Sequence, residues 1–157
     1  MRDEVTVSMN ASPADVWALV SDITRIGEFS PETFEAEWLG RAKETGPQVG
    51  AKFRGHVRRN GIGPVYWTVC RVTEWTPEEE FAFAVIIRGV PVNTWGYRIT
   101  STANGCDVTE FFQLSPLPPL RLYWAVLGHW RNRTNVEGMR QTLERIKAVV
   151  EAEQIAS

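Results

Sequence analysis

Few residues in this sequence could carry out acid–base or metal chemistry, and they are spread along the chain. There are two histidines, His56 and His129, so a site built from several histidines is excluded. A site that combines both of them with the carboxylate of Glu110 is conceivable. Cys70 and Cys106 lack the close spacing of metal or redox motifs, which indicates a reduced intracellular chain. No nucleophile elbow, phosphate loop or zinc spacing occurs, so we expect no metal and no cofactor.

Glu110 is the titratable residue with the most informative surroundings. It lies in "CDVTEFFQL" (106–114), where strand alternation places it on the same face as Val108 and Phe112. If that face is the inner one, the carboxyl either has a raised pKa or is paired with an arginine. If the face is the outer one, Glu110 is a surface carboxylate. The candidates for a proton-transferring role are Tyr66, His56 and Glu110.

His56 lies in "AKFRGHVRR", a segment that alternates apolar and cationic residues. Arg54, His56 and Arg58 share the face opposite Phe53, which is the pattern of a solvated surface. A bulge in a strongly curved sheet could reverse that register and turn the three side chains inward.

The elements that must position these residues follow from the apolar periodicity. Predicted strands cover 3–10, 34–40, 51–59, 65–75, 81–89, 93–101 and 106–114, and predicted helical segments cover 13–29 and 120–153. Gly27 and Ser30–Pro31 interrupt the first helical segment, and 42–50 is predicted to be a turn. Short connections imply an antiparallel meander, which the long final helix alone is long enough to cover. We therefore predict an α+β fold, a single domain over 1–157, with two short helices after the first strand.

The order of elements and several local strings resemble the helix-grip fold of the START-like or Bet v 1-like (SRPBCC) superfamily. The strings are "ASPADVWALVSDITRIGEFSPE", "EWLG", "GAKFRGHVRRNG", "YWTVCRVTEWTPEEEFAF" and "WGYRITSTANGCDVTE". Within that superfamily the chain is similar to the bacterial polyketide cyclase/dehydrase and lipid-transport group. The resemblance implies a seven-stranded curved antiparallel sheet around the C-terminal helix, with an internal hydrophobic cavity. It does not settle a function, because the superfamily includes carriers, cyclases, quinone-binding proteins and receptors.

The alternation of side chains along each predicted strand indicates which residues could line such a cavity. Large aromatic side chains with a few polar groups suit a planar or acyl ligand. The candidate ligand-binding residues are Phe53, Tyr66, Thr68, Cys70, Phe83, Val85, Trp95, Tyr97, Glu110, Phe112, Trp124 and Gly128. The alternative is that these residues fill an ordinary core.

The C-terminal helix changes character along its length. Its second half carries an apolar stripe at helical spacing, formed by Met139, Leu143, Ile146 and Val150. Projected backwards, the same face meets mostly small or polar residues, namely Val136, Asn132, Gly128 and Ala125. The helix is therefore expected to pack tightly at one end and cover a cavity at the other, unless Trp124, Leu127 and Trp130 fill the space.

Three connections rich in Gly and Pro, 60–64, 88–92 and 115–119, should lie at one edge of the sheet. The charged turn 76–80 and the turn 103–105 should lie at the opposite edge. Apolar loop tips with Gly hinges favour a mouth that opens at the first edge, although turns need Gly and Pro in any case.

The amino-acid composition and net charge indicate which classes of partner the chain could bind. The chain is 43% hydrophobic and 23% charged, with a net charge of −2, so no basic field favours nucleic acid. The N-terminus lacks the apolar core of a signal peptide, and no apolar run approaches the ~20 residues that span a bilayer. We expect a cytoplasmic monomer or homodimer. Arginines and tryptophans near the start of the last helix could touch a membrane transiently, and these are Arg121, Arg131, Arg133, Trp124 and Trp130.

The main functional hypothesis is a binding or carrier protein for a hydrophobic small molecule, either lipid, polyketide or quinone-like. The first alternative is an enzyme of the polyketide cyclase/dehydratase type that moves protons on a bound polyketide. The second alternative is a protein-interaction or transient membrane-docking module. Whether the protein turns over a substrate is left open by the residues.

Overall fold

The computed structural model describes residues 1–58 and 63–156, with side chains for all of these except 120, 121, 123, 124 and 127–132. The elements in chain order are β1 (Arg2–Met9), α1 (Pro13–Val20), a 3-10 helix (Ile23–Glu28), β2 (Thr33–Leu39), α2 (Ala42–Thr45), β3 (Lys52–Arg58), β4 (Val65–Thr76), β5 (Glu80–Ile87), β6 (Val90–Thr102), β7 (Gly105–Leu114) and α3 (Pro118–Ile155).

All seven strands form one antiparallel sheet in the order β1-β7-β6-β5-β4-β3-β2. Strands β2 to β7 follow one another as a meander, whereas β1 pairs with β7, so that Val5 lies opposite Glu110. Irregularities in register interrupt the β2–β3, β4–β5 and β5–β6 pairs, and such bulges increase local twist and bending. The predicted α+β helix-grip fold, with a curved seven-stranded sheet and a long C-terminal helix, is confirmed.

The interrupted helical segment consists of two short helices, each with its own cap. The Ser12 hydroxyl accepts a hydrogen bond from the Asp15 backbone N–H at 3.1 Å, and Pro13 occupies the first turn of α1. Asp22 caps the 3-10 helix by accepting from the Thr24 N–H at 3.1 Å. Gly27 lies so close to the β2 backbone that a Cβ there would overlap the Phe34 carbonyl. A residue without a side chain is therefore needed here for β2 to pass against the end of the 3-10 helix.

The second half of α3 packs on a solid core. Its predicted stripe is confirmed, because Met139, Leu143, Ile146 and Val150 are each at most 1% exposed. Polar contacts at the helix surface add to this packing: the Lys147 ammonium donates to the Ser8 carbonyl at 3.1 Å. No helix in the part of the chain described here is both long and apolar enough to cross a membrane.

Two local predictions were wrong in detail. Part of the predicted turn 42–50 is the one-turn helix α2, which ends at Gly46 with φ of 83°. The predicted loop 88–92 is only a two-residue turn, Arg88–Gly89, and both residues have positive φ. Such a turn matches the right-handed twist of the strands, so both strands continue up to it. Pro91 joins β6 at the β5–β6 bulge, where a residue without an N–H is tolerated.

We expect Gly138→Ala to stabilise the protein by up to ~1 kcal/mol. Apart from its own helical turn, no described part of the chain has a heavy atom within 4 Å of a Cβ placed on Gly138. The residue lies inside α3, where alanine has the higher helix propensity. Urea unfolding of both proteins measures the difference.

The same change at Gly96 is the control. A Cβ there would lie 2.7 Å from Phe111 Cε1 and 2.8 Å from Ala82 Cβ, so Gly96→Ala should destabilise by ~1–3 kcal/mol. Equal effects of the two substitutions would contradict the packing described.

Candidate functional site

The inner face of the sheet, which α3 covers, collects ten of the predicted ligand-binding residues. Strand registers place them side by side: Phe53 lies opposite Cys70, and Tyr97 lies opposite Glu110. The ten are Phe53, Tyr66, Thr68, Cys70, Phe83, Val85, Trp95, Tyr97, Glu110 and Phe112. The other two, Trp124 and Gly128, have side-chain environments outside the described part of the chain.

Burial changes along this inner face. On β4, Val72 is 1% and Cys70 is 3% exposed, Thr68 is half-buried, and Tyr66 is 37% exposed. The sheet is therefore sealed near the 76–80 turn and less covered towards the edge where β3 is followed by β4. The predicted open edge is the same one, although residues 59–62 of its first connection lie outside the described chain.

Aromatic side chains form much of the wall. The rings of Trp95 and Phe112, on neighbouring strands, have centroids 4.7 Å apart at an interplanar angle of 55°. Phe53 and Phe83 meet edge to face at 5.1 Å, with planes 74° apart. Trp95 is only half-buried, so this wall has apolar surface that the described residues do not cover completely.

Glu110 is the buried carboxyl of the inner face, at 5% exposed. The Tyr97 hydroxyl donates to its Oε1 across a long 3.4 Å. Its Oε2 has no hydrogen-bond partner in the described parts of the chain. The Thr142 hydroxyl on α3 donates its one proton to the Gly138 carbonyl at 2.9 Å, so towards a protonated Glu110 it is an acceptor, but no such bond to Oε2 is formed.

The environment of Glu110 favours its protonated form. Burial raises the pKa of the Glu110 carboxyl well above its usual range, and the hydroxyls of Tyr97 and Thr142 offset only part of this effect. Of the two possibilities for an inward Glu110, the raised pKa is therefore the one realised. Burial in a largely apolar face therefore favours the uncharged acid over the carboxylate.

Two other ionisable groups of the inner face, Tyr97 and Cys70, also hold their protons. Burial is the main reason that the pKa of the Tyr97 hydroxyl lies well above its usual value, and the nearby Glu110 raises it further. Burial raises the pKa of the Cys70 thiol to about 12, so this cysteine behaves as an apolar wall residue and not as a nucleophile.

The three candidates for proton transfer do not form one constellation. His56 lies on the outer face, where its Nδ1 is 2.6 Å from Glu35 Oε1 and its ring stacks on Trp67 at 4.2 Å. The sheet therefore lies between His56 and Glu110. This arrangement rules out the metal site of two histidines and Glu110 that the sequence had left open. Tyr66 is on the inner face, but it lies three strands away from Glu110 and about eight residues further along the strands, so the two are separated by about 14 Å across the sheet and about 26 Å along it.

Two buried polar groups were missed by the sequence analysis, one on the inner face of the sheet and one on the helix that covers it. Asn93 alternates with Trp95 and Tyr97 on β6, and its buried Oδ1 is unpartnered in the described chain. Thr142 is buried beside the apolar stripe of α3, three residues after Met139. The alternation along β6 places Asn93 on the same face as Trp95 and Tyr97, and helical spacing places Thr142 beside the apolar stripe. Both signals were present in the sequence, but only apolar residues were assigned to the inner face and the stripe.

An open depression of about 950 Å³ lies at the opposite edge of the sheet. Its lining is Pro13, Glu74, Thr76, Pro77, Glu78, Glu79, Glu80, Arg98, Ile99, Thr100 and Ser101. A lining this rich in carboxylates does not suit an apolar ligand. The inner face is therefore the better candidate site for an apolar ligand.

The sequence profile of one family, described as polyketide cyclase / dehydrase and lipid transport, matches residues 2–151. The chain belongs to this family. The family match and the fold agree with the SRPBCC or Bet v 1-like resemblance of the sequence. The comparison with curated proteins gave no significant match.

Solved structures share the fold of this cyclase/dehydrase-family domain. A polyketide cyclase-like protein from Corynebacterium glutamicum is 28% identical, with a TM-score of 0.66 over 98% of this chain and 93% of that one. The di-domain ARO/CYC protein StfQ from the steffimycin biosynthetic pathway is 14% identical, with a TM-score of 0.71 over 98% of this chain and 51% of that one. A protein of unknown function from Staphylococcus aureus is 12% identical, with a TM-score of 0.71 over 98% and 95% of the two chains.

Proposed function

We propose that this cyclase/dehydrase-family domain binds a hydrophobic small molecule against the inner face of its sheet, as a binding or carrier protein. The observation that carries the proposal is the gradient of burial on that face. Side chains are sealed where the second half of α3 packs, whereas Thr68, Val85 and Trp95 are only half-buried. An apolar ligand on these residues would remove that surface from water and gain the free energy of its burial.

The walls suit a neutral molecule with an extended or planar apolar body. Trp95 offers half-buried ring surface beside the buried ring of Phe112, and Cys70 is apolar in character because burial raises the pKa of its thiol to about 12. The family description includes lipid transport as well as cyclase chemistry, which is compatible with this reading.

A bulky side chain placed in the proposed site should weaken ligand binding without unfolding the protein. We expect Thr68→Trp to weaken binding of the uncharged fluorescent probe Nile red at least about tenfold, because the new indole occupies the half-buried inner face. Fluorescence titration measures the affinity, and urea unfolding verifies that stability is retained.

Val69→Trp is the matched control, because Val69 is the next residue on β4, points to the outer face and is 38% exposed. It should leave Nile red binding unchanged. Equal loss in both variants, or no loss in either, would contradict a site on the inner face. Native mass spectrometry of protein purified from its own host would then identify a natural ligand of the wild-type chain.

An enzyme of the polyketide cyclase/dehydratase type is the second candidate, and the buried Glu110 favours it. A protonated carboxyl beside an apolar wall is suited to act as a general acid on a bound carbonyl. A poly-β-ketone substrate should then be converted by the wild type and not by Glu110→Gln. A carrier would leave the substrate unchanged while still binding it.

A further inference from the structure

Two buried polar atoms on the inner face have no protein partner in the described chain, and they define what a ligand must present. They are Oε2 of Glu110 and Oδ1 of Asn93. Buried polar atoms are nearly always hydrogen-bonded, so two unpaired ones on one face point to a missing group. We propose, building on the proposed function, that the ligand is an uncharged elongated molecule with a carbonyl or similar acceptor oxygen at Glu110 and a hydroxyl at Asn93.

The polarity of the Glu110 contact follows from its neighbours. Tyr97 donates to Oε1, so the acid proton belongs on Oε2, the oxygen without a partner. Glu110 is therefore a donor towards the site. A carbonyl or ether oxygen satisfies it, whereas an apolar group leaves the donor buried and unpaired, which is costly.

Asn93 supplies the opposite polarity at the other end. Its unpaired atom is the amide oxygen, an acceptor, which a ligand hydroxyl would satisfy. Asn93 lies near the start of β6, directly opposite Leu114 and Val85, close to the less covered edge of the sheet.

The distance between the two anchors sets the length of the ligand. Asn93 and Tyr97 are four residues apart on β6, and Tyr97 lies opposite Glu110, so the anchors are about 13 Å apart along the strands. The pair Trp95 and Phe112 lies between them. The ligand is therefore polar near both ends, and its middle is apolar where it passes the half-buried ring of Trp95.

A charged ligand is disfavoured by the same face. The residues paired with Glu110 and Asn93 across the strands include no Arg or Lys, since they are Val5 and Tyr97 for Glu110 and Val85 and Leu114 for Asn93. A buried carboxylate without a cation pays a large desolvation cost. The site should therefore distinguish a ketone from a fatty acid of the same length.

Displacement of Nile red by three probes of equal chain length tests the proposal. The probes are methyl decyl ketone, dodecane and laurate. We expect the ketone to bind wild-type protein at least about tenfold more tightly than either dodecane or laurate. Glu110→Gln, whose amide still donates, should keep that preference, whereas Glu110→Leu should bind the ketone no better than dodecane. Adding a terminal hydroxyl to the ketone should improve its affinity for wild type but not for Asn93→Leu.

The outcomes separate this proposal from the one on which it rests. If Nile red does not bind wild-type protein, the proposed function itself fails. If Nile red binds but laurate competes as well as the ketone, or Glu110→Leu keeps the preference for the ketone, the assignment of the ligand class is overturned and the binding function stands. Nile red binding by Glu110→Leu shows that this variant has folded.

Discussion

Leu143→Ala should lower the free energy of unfolding by ~2–5 kcal/mol, the range found for leucine truncation in well-packed cores. Leu143 is 0% exposed in the buried stripe of α3, between Met139 and Ile146. The substitution removes apolar area from the core and leaves a cavity that the sheet and the helix can close only in part. Urea unfolding followed by circular dichroism gives the difference directly.

Leu122→Ala is the matched control on the same helix. Leu122 is 70% exposed, so truncation should change stability by no more than about 0.5 kcal/mol. If the two variants differ by less than about 1 kcal/mol, the second half of α3 does not cover a solid core. The gradient from packed to uncovered surface, on which the proposed function depends, would then be in doubt.

The architecture was predictable because its signals are periodic. Alternation in strands and the helical spacing of Met139, Leu143, Ile146 and Val150 both report burial on one face. The short first helices were predictable from caps and breakers, since Ser12 and Asp22 make the expected capping bonds. The errors lie where no period exists: the single turn of α2, and a tight turn at Arg88–Gly89 that depends on backbone φ.

The site was only partly predictable, for a physical reason. The alternation of side chains along a strand shows which of them share a face of the sheet. It does not show which face the helix covers, so the sequence did not decide whether Glu110 is buried or exposed. Its contact with Tyr97 depends on the β6–β7 register, and its proximity to Thr142 depends on the placement of α3. Both are long-range outcomes of packing.

The burial of Glu110 should make the stability of the whole fold depend on pH. The folded carboxyl has a pKa well above its ordinary 4.5, whereas the unfolded chain releases the proton near that ordinary value. The contribution of Glu110 is therefore fully present below about pH 4.5 and declines as pH rises towards the folded pKa. The slope reaches at most ~1.4 kcal/mol per pH unit, the value for one proton. Tyr97 on β6 and Thr142 on α3 are the polar groups known to influence it.

Glu110→Gln should remove this loss while keeping a polar group of similar shape. Relative to wild type, the variant should therefore gain stability steadily as pH rises from about 4.5 towards the folded pKa of Glu110, at no more than ~1.4 kcal/mol per pH unit. Urea unfolding of the ligand-free proteins at several pH values measures the difference. Glu144→Gln, at an exposed position of α3, is the control for the loss of one carboxyl group. A difference between Glu110→Gln and wild type that does not change with pH would mean that Glu110 is charged in the folded protein, and the donor role inferred for its Oε2 would fail with it.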